Sequence, residues 1–198
     1  MASPSLFSLV DPVVYLVTAG TGAERNGLIA TWVTQATLAS KQPRALAVIS
    51  SDCRTGSLIE DTGRFTLQLL EESQLDLVGR FGLGTREGVD KWEGLETAPS
   101  PAGLPLVAGT CGWADCRVAH TLDTGDRFIY VADVENQHVE LGRSPMRESL
   151  ALGRQSEEVA RALERSYELD IARDDGLLAE PAGPVDPRDL RFRTPDRK

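Results

Sequence analysis

Clustered and alternating apolar residues divide the first two thirds of the chain into short β-forming runs. Val13, Val14, Tyr15, Leu16 and Val17 form a β-branched and aromatic run that stops at Gly20, Thr21 and Gly22, residues that suit a turn. Leu28 to Leu38 carries Ile29, Thr31, Trp32, Val33, Thr34 and Thr37 and predicts a second strand. Arg44 to Ile49, Phe65 to Leu70, Val107 to His120 and Arg127 to Glu135 continue the series. Asp123, Thr124, Gly125 and Asp126 have the composition of a hairpin turn between the last two. A short strand near His138 to Leu141 is expected to close this part.

Helical signals are fewer. Thr55 to Thr62 predicts a short helix with Leu58 and Ile59 inward and Gly63 just past its end. Ser73 to Phe81 predicts another, with Ser73 as N-cap and Asp76 in the first turn. From Gly82 to Pro105 the chain is rich in Gly and Pro and reads as one long connection, anchored by Trp92 and Leu95. Ser144 and Pro145 suit the N-cap and first position of a C-terminal helix. Val159, Leu163 and Tyr167 then recur at helical spacing, a packing or dimer face. The tail from Glu180 to Lys198 holds Pro, Asp and Arg and is expected to be extended. The pattern divides the chain into a strand-rich domain over 1–143, a helical extension over 144–180 and a tail over 181–198. It shows no internal repeat.

A chain of 198 residues is the size of one large domain. No apolar run approaches the roughly 20 residues that cross a bilayer, and the first ten residues lack the basic start of a secretory signal. Three cysteines, Cys53, Cys111 and Cys116, cannot pair completely and fit a reducing compartment. A cytoplasmic location is therefore expected. The formal net charge of -9 argues against nucleic acid or anionic membrane as partners, yet permits a local basic pocket for a phosphate.

Several familiar motifs are absent. Gly20-Thr21-Gly22 lacks the third glycine of a dinucleotide fingerprint, since Arg25 stands there. Gly56-Ser57-Leu58 does not match a nucleophile elbow. Cys111 and Cys116, with only His120 nearby, have the wrong spacing for zinc and read as buried thiols. His120 and His138 fall in strand contexts, as ordinary strand positions or as proton donors.

Two segments carry candidate chemistry. In Asn26 to Gln35, residues Thr31, Thr34 and Gln35 offer hydrogen-bonding groups, and Ala30, Trp32 and Val33 offer apolar or aromatic surface. A flat heteroaromatic ring needs both, although an ordinary amphipathic strand has the same composition. In Ser50 to Thr55 a strand ends and a helix begins, with Ser50, Ser51, Arg54 and Thr55 available to a phosphate. Ser51, Asp52 or Thr55 could equally cap the helix, and the two roles are compatible.

The order of these segments resembles the flavin-reductase-like family with the FMN-binding split barrel. The matching residues are Asn26 to Gln35, Ala47 to Ser51, Thr55-x-x-Leu58-Ile59 with Gly63-x-Phe65, and Leu77-Val78-Gly79-Arg80-Phe81-Gly82. Gly103-Leu104-Pro105-Leu106, Ala114 to Val118 and Gly125 to Val131 extend the likeness, which covers about 13–142. The resemblance implies a mainly β fold, an antiparallel Greek-key split β-barrel with short peripheral helices and a C-terminal helix. It also implies a homodimer with FMN near the subunit interface. The flavin ring would lie along Ala30, Thr31, Trp32, Val33, Thr34 and Gln35, and its phosphate near Ser50, Ser51, Arg54 and Thr55. Arg80 joins this cofactor-binding set through its motif. The implied activity is flavin reduction by NADH or NADPH, with electrons passing through FMN to an acceptor protein or leaving on free flavin. The cofactor carries that chemistry, so no catalytic side chain is assigned. A flavoredoxin-like electron carrier without a nicotinamide site, or a split-barrel module for another ligand such as haem, are the alternatives. Two residues depart from the family pattern. Arg127 stands where a His is usual, which bears on the nicotinamide site more than on FMN, and Ser40-Lys41-Gln42-Pro43 replaces an Asp-Pro-Pro.

Overall fold

The computed structural model describes residues 5–83 and 90–178, together with the backbone of 192–193. The strands are β1 (Tyr15–Ala19), β2 (Asn26–Ala30), β3 (Val33–Gln35), β4 (Arg44–Ser50), β5 (Arg64–Leu69), β6 (Thr97–Pro99), β7 (Pro105–Val107), β8 (Gly112–Asp123), β9 (Arg127–Val139) and β10 (Phe192–Arg193). The helices are α1 (Arg54–Thr62), α2 (Leu75–Gly82), α3 (Glu148–Gly153) and α4 (Glu157–Leu177). The main sheet runs β2-β1-β5-β8-β9-β4-β3, with β10 beside β8, and β6 and β7 form a separate ribbon.

Chain connectivity forces this sheet to curl. Its two edge strands, β2 and β3, are separated only by Thr31 and Trp32. Laid flat, seven strands at about 4.8 Å per step would place those edges about 29 Å apart. Three peptide steps from Ala30 to Val33 reach about 11 Å. The antiparallel strands therefore roll into a Greek-key split barrel. The same fact corrects the expectation of one continuous strand over Leu28 to Leu38. The chain changes partner from β1 (Ala30 opposite Tyr15) to β4 (Val33 opposite Ala47), and it bends between them.

Alternation along β4 sends Ala45, Ala47 and Ile49 inward. They pack with Val17, Ile59, Phe65 and Tyr130 in the barrel interior, where the Phe65 and Tyr130 rings lie 5.9 Å apart. A second core covers the outside of β1 and β5. Val14, Leu16 and Leu70 meet Leu77, Val78 and Phe81 of α2, together with Trp92, Met146 and Ala151. Trp92 meets Phe81 edge-on at 5.1 Å, and Leu95 packs against the same cluster, so both anchor the connection as expected.

That connection is more ordered than its composition suggests, because β6 and β7 lie within it. Gln68 Nε2 donates to the Pro105 carbonyl at 3.2 Å, and Gln68 Oε1 accepts from the Val107 amide at 2.7 Å. His138 belongs to the long strand β9 rather than to a separate one. The segment 144–147 does not begin a helix. Val14 N donates to Met146 O at 3.0 Å and Met146 N to Leu70 O at 2.9 Å, so it runs extended against the barrel. Helix α3 starts at Glu148, and α4 is capped by Ser156, whose hydroxyl accepts from Val159 N at 3.3 Å. At α2 the N-cap is Gln74, because Ser73 bonds back to the Glu71 carboxylate, its amide at 2.9 Å. Most of the tail from Glu180 onward lies outside the described residues. Its Phe192 and Arg193 pair with Leu122 and Thr121 of β8. No described helix is long and apolar enough to cross a membrane.

Candidate functional site

Four pieces of chain meet at one end of the barrel. Ser50, the last residue of β4, lies opposite Arg127, the first of β9. Ser51 fastens the next step to the β8–β9 turn, its amide donating to Asp126 O at 3.0 Å and its hydroxyl to Gly125 O at 2.8 Å. Trp32, in the bend between β2 and β3, accepts from the Val48 amide at 3.0 Å through its carbonyl. Its indole is 58% exposed, and the Arg127 guanidinium lies 5.6 Å above the ring. Val33, Thr34 and Gln35 continue along β3 beside Ala45 to Ala47. Trp32, Ser50 and Ser51 are thus brought together, with Val33 to Gln35 alongside.

The Ser50 hydroxyl is buried and has no hydrogen-bond partner among the described residues. Such an orphan costs about 1–3 kcal/mol. The neighbouring turn into α1 is tightly built. Cys53, not Ser51, Asp52 or Thr55, caps the helix. Its Sγ accepts from Gly56 N at 3.2 Å and donates to Ser50 O at 3.2 Å. Burial pushes the Cys53 thiol up, against the opposing pull of the Gly56 amide. A Cβ on Gly56 would stand 2.9 Å from Ser50 O, so this turn requires glycine.

The other residues of the expected set are more scattered. Arg54 pairs with Glu24 on the surface, an exposed pair of little net worth and hence open to exchange. Thr55 is 2% exposed and faces the core. Ala30 is also buried in the barrel. Thr31 hydrogen-bonds Glu148 at the start of α3, whose carboxyl is pushed up by burial and then by Asp11. Arg80 lies on α2, where Nη1 donates to Glu93 O at 2.6 Å and reaches Lys91 O at 3.4 Å. It holds the turn around Trp92, and the structure does not bring it to Trp32.

Sequence reasoning gave α4 a packing face but missed the charged residues near its end. The helix turns Val159, Leu163, Ser166, Asp170 and Asp174 toward the barrel, while Tyr167 is 67% exposed. Steps of four residues drift around a helix of 3.6 residues per turn, and alternating three with four keeps the face. Asp174 pairs with Arg127, each side chain 17% exposed. Arg173 reaches Asp174 at 2.8 Å, Asp170 at 3.0 Å and Asp52 at 3.9 Å. Burial pushes the Asp174 carboxyl up, but hydrogen bonds from Arg173 and Arg127 outweigh it and hold the group below its ordinary value. The Asp-x-x-Arg-Asp spacing was the available signal. Lys91, buried near the Phe81 ring at 6.0 Å and pushed down by that burial, was also missed.

Neither histidine joins the site. His138 is exposed beside Glu140 at 3.0 Å, at the far end of β9, and His120 faces solvent from β8. Cys111 and Cys116 are buried free thiols. The described residues hold no metal-binding cluster.

Known proteins share this architecture. The family model described as the flavin reductase like domain matches residues 8–155. The reductase subunit HsaB of a flavin-dependent monooxygenase from Mycobacterium tuberculosis is 35% identical over 101 residues, 51% of this chain and 52% of that protein. A putative diflavin flavoprotein from Nostoc sp. is 30% identical over 132 residues, 63% of this chain and 22% of that one. The chain thus spans about half the length, or less, of the curated relatives it matches. Among solved structures, a nitrilotriacetate monooxygenase component B homologue from Mycobacterium thermoresistibile superposes with a TM-score of 0.61 at 28% identity, covering 69% of this chain and 73% of that one. The NADH:FAD oxidoreductase SgcE6 from Streptomyces globisporus gives 0.64 at 23% identity over 70% and 81%, a likeness of fold.

Proposed function

This chain belongs to the flavin reductase like family, and from that premise we propose that it is an FMN-binding oxidoreductase reduced by NADH or NADPH. Bound flavin supplies the hydride acceptor and the store of electrons. The chain's own residues do the rest. Trp32 offers an apolar wall for the ring and the exposed Thr34 and Gln35 its polar edge, while Val33 packs against the barrel interior beneath them. Ser50 and the start of α1 lie where the phosphate would sit. Ser51 fixes that turn by giving its own amide and hydroxyl to the β8–β9 turn, and Arg54 can leave Glu24 for the phosphate.

The observation that carries this reading is the exposed Trp32 with the Arg127 guanidinium over its ring, set where β4 ends at Ser50, opposite Arg127, just before α1 begins. HsaB is a monooxygenase reductase subunit, and a monooxygenase component is accordingly the class of acceptor protein we assign. Gel filtration with excess FMN or FAD, followed by the visible spectrum of the protein peak, tests the binding. About one flavin per chain is expected, with FMN retained better than FAD. Anaerobic addition of NADH or NADPH should then bleach the flavin. Absence of co-eluting flavin at micromolar protein overturns the reading. Bound flavin that neither nucleotide bleaches would favour an electron carrier, and a Soret band a haem module.

A further inference from the structure

We propose that Arg127 is an exchangeable anion-binding residue, whose resident partner Asp174 yields to the phosphate of an incoming nucleotide and so frees the end of α4 from the barrel mouth. The proposal rests on the nucleotide-binding function proposed above, and it starts from a change of character along one helix face. The first turns of α4 are held by packing. A Cβ on Gly79 would meet Val159 Cγ1 at 2.9 Å, and one on Gly82 would meet Leu163 Cδ2 at 3.1 Å and Ile29 at 3.7 Å, so both helices approach closely through glycine.

Beyond Leu163 that packing stops. Tyr167, Leu169, Ile171 and Leu177 are all exposed, and no residue of α4 is fully buried. The last turns are held by charge instead: Asp174 to Arg127, and Arg173 to Asp52. Apolar burial cannot be competed away by a solute, whereas an ion pair can.

Charge balance decides between addition and exchange. The cluster sets three carboxylates, Asp52, Asp170 and Asp174, against two guanidiniums, Arg127 and Arg173. A phosphate that simply joined it would enter an already anionic group. A phosphate that replaces Asp174 meets Arg127 with a larger charge and more acceptor oxygens than a carboxylate offers. Arg127 is suited to this. It is held over Trp32 at 5.6 Å and by its own donation to Asp126 O at 3.0 Å, so it keeps its place when Asp174 leaves. It also stands directly across from Ser50.

Hydrogen–deuterium exchange over 166–177 of the intact chain tests the exchange of partners, with inorganic pyrophosphate as the anion and sodium chloride at matched ionic strength as the control. Pyrophosphate, FMN or NADPH should speed exchange there at least threefold, and riboflavin should not. Asp174→Asn should exchange fast without any ligand and bind phosphate-bearing nucleotide at least threefold tighter. Arg127→Gln should also exchange fast, but lose FMN or NADPH affinity about tenfold. FMN against riboflavin, and NADPH or NADH at saturating flavin, tell whether the phosphate belongs to the flavin or to the nicotinamide nucleotide. An unchanged helix with all three phosphate compounds, or an equal effect of sodium chloride, overturns the proposal. Release by pyrophosphate in a protein that binds no flavin would leave it standing and sink the flavin reading instead.

Discussion

Asp115 is wholly buried in β8, and its two oxygens fare differently. Oδ2 accepts from Ala102 N at 3.1 Å and Asn136 Nδ2 at 3.3 Å, while Oδ1 has no partner. Asp115→Ala should destabilise the fold by about 1–3 kcal/mol, because two half-buried donors lose their acceptor. Asp115→Asn, which keeps one acceptor and removes the charge, should cost less, and urea denaturation of both variants measures the difference. The neighbouring Cys116 thiol is pushed up to about 12, first by burial and then by the charges of Asp115 and Glu135. A raised folded value means the contribution to stability is whole below the unfolded value of about 9. It is lost as pH rises toward 12. At pH 8 the native thiol should therefore resist iodoacetamide and react only after denaturation; mass spectrometry showing ready native alkylation would contradict this. At this scale the sequence exposed what is local. Ser50 stands at a strand end that composition marks, and Trp32 stands out by its own aromatic character although the bend that exposes it does not; the two lie together at the candidate site. The Arg127–Asp174 pair joins residues far apart in the chain, and Cys53 caps α1 because the more usual capping residues around it are turned elsewhere. Neither can be read from neighbours in sequence.

Elements were legible where one face is buried and the other is not. Strand β4 alternates cleanly, and it lies where the pattern placed it. The run over Leu28 to Leu38 is equally β-forming, but composition cannot show that its two halves bond to different strands. For α4, periodicity marked a helix with an inner face and could not say what that face meets. Its close approach to α2 gives a test. Gly79→Ala would place a Cβ 2.9 Å from Val159 Cγ1, an overpacking that costs about 1–3 kcal/mol. Val159→Ala should restore part of that loss in the double variant. A double-mutant cycle by denaturation should thus show coupling of at least about 0.5 kcal/mol. Strict additivity would mean that the helix start does not pack as described.

For the molecule as a whole, the outer face of β4 and β9 lies outside both cores among the described residues. Inward positions go to Ala45, Ala47, Ile49, Tyr130 and Ala132. Their alternates pair across the outside, Leu46 with Val131 and Val48 with Ile129, and Leu122 lies beside Ile129. All five side chains are only half-buried, and none belongs to either core. An apolar row of this kind suits an association surface, and it borders Trp32 and Arg127. Composition could not reveal it, since the same residues would serve in a core, and only register tells which face they line. We therefore expect a homodimer that buries this face and places each nucleotide site near the partner. Light scattering should give twice the chain mass for the intact protein. Val131→Glu, which sets a charge in the middle of the row, should give a monomer with weakened flavin binding. Helix α4 enters the same test, because it could instead reach across to the partner. A chain ended after Gly153 keeps Met146 in the second core and removes only α4 and the residues beyond it. A truncated dimer would assign the interface to the barrel, and a truncated monomer would assign it to the helix. A monodisperse monomer of the full chain would refute the dimer, and the row would then have to be covered within one molecule.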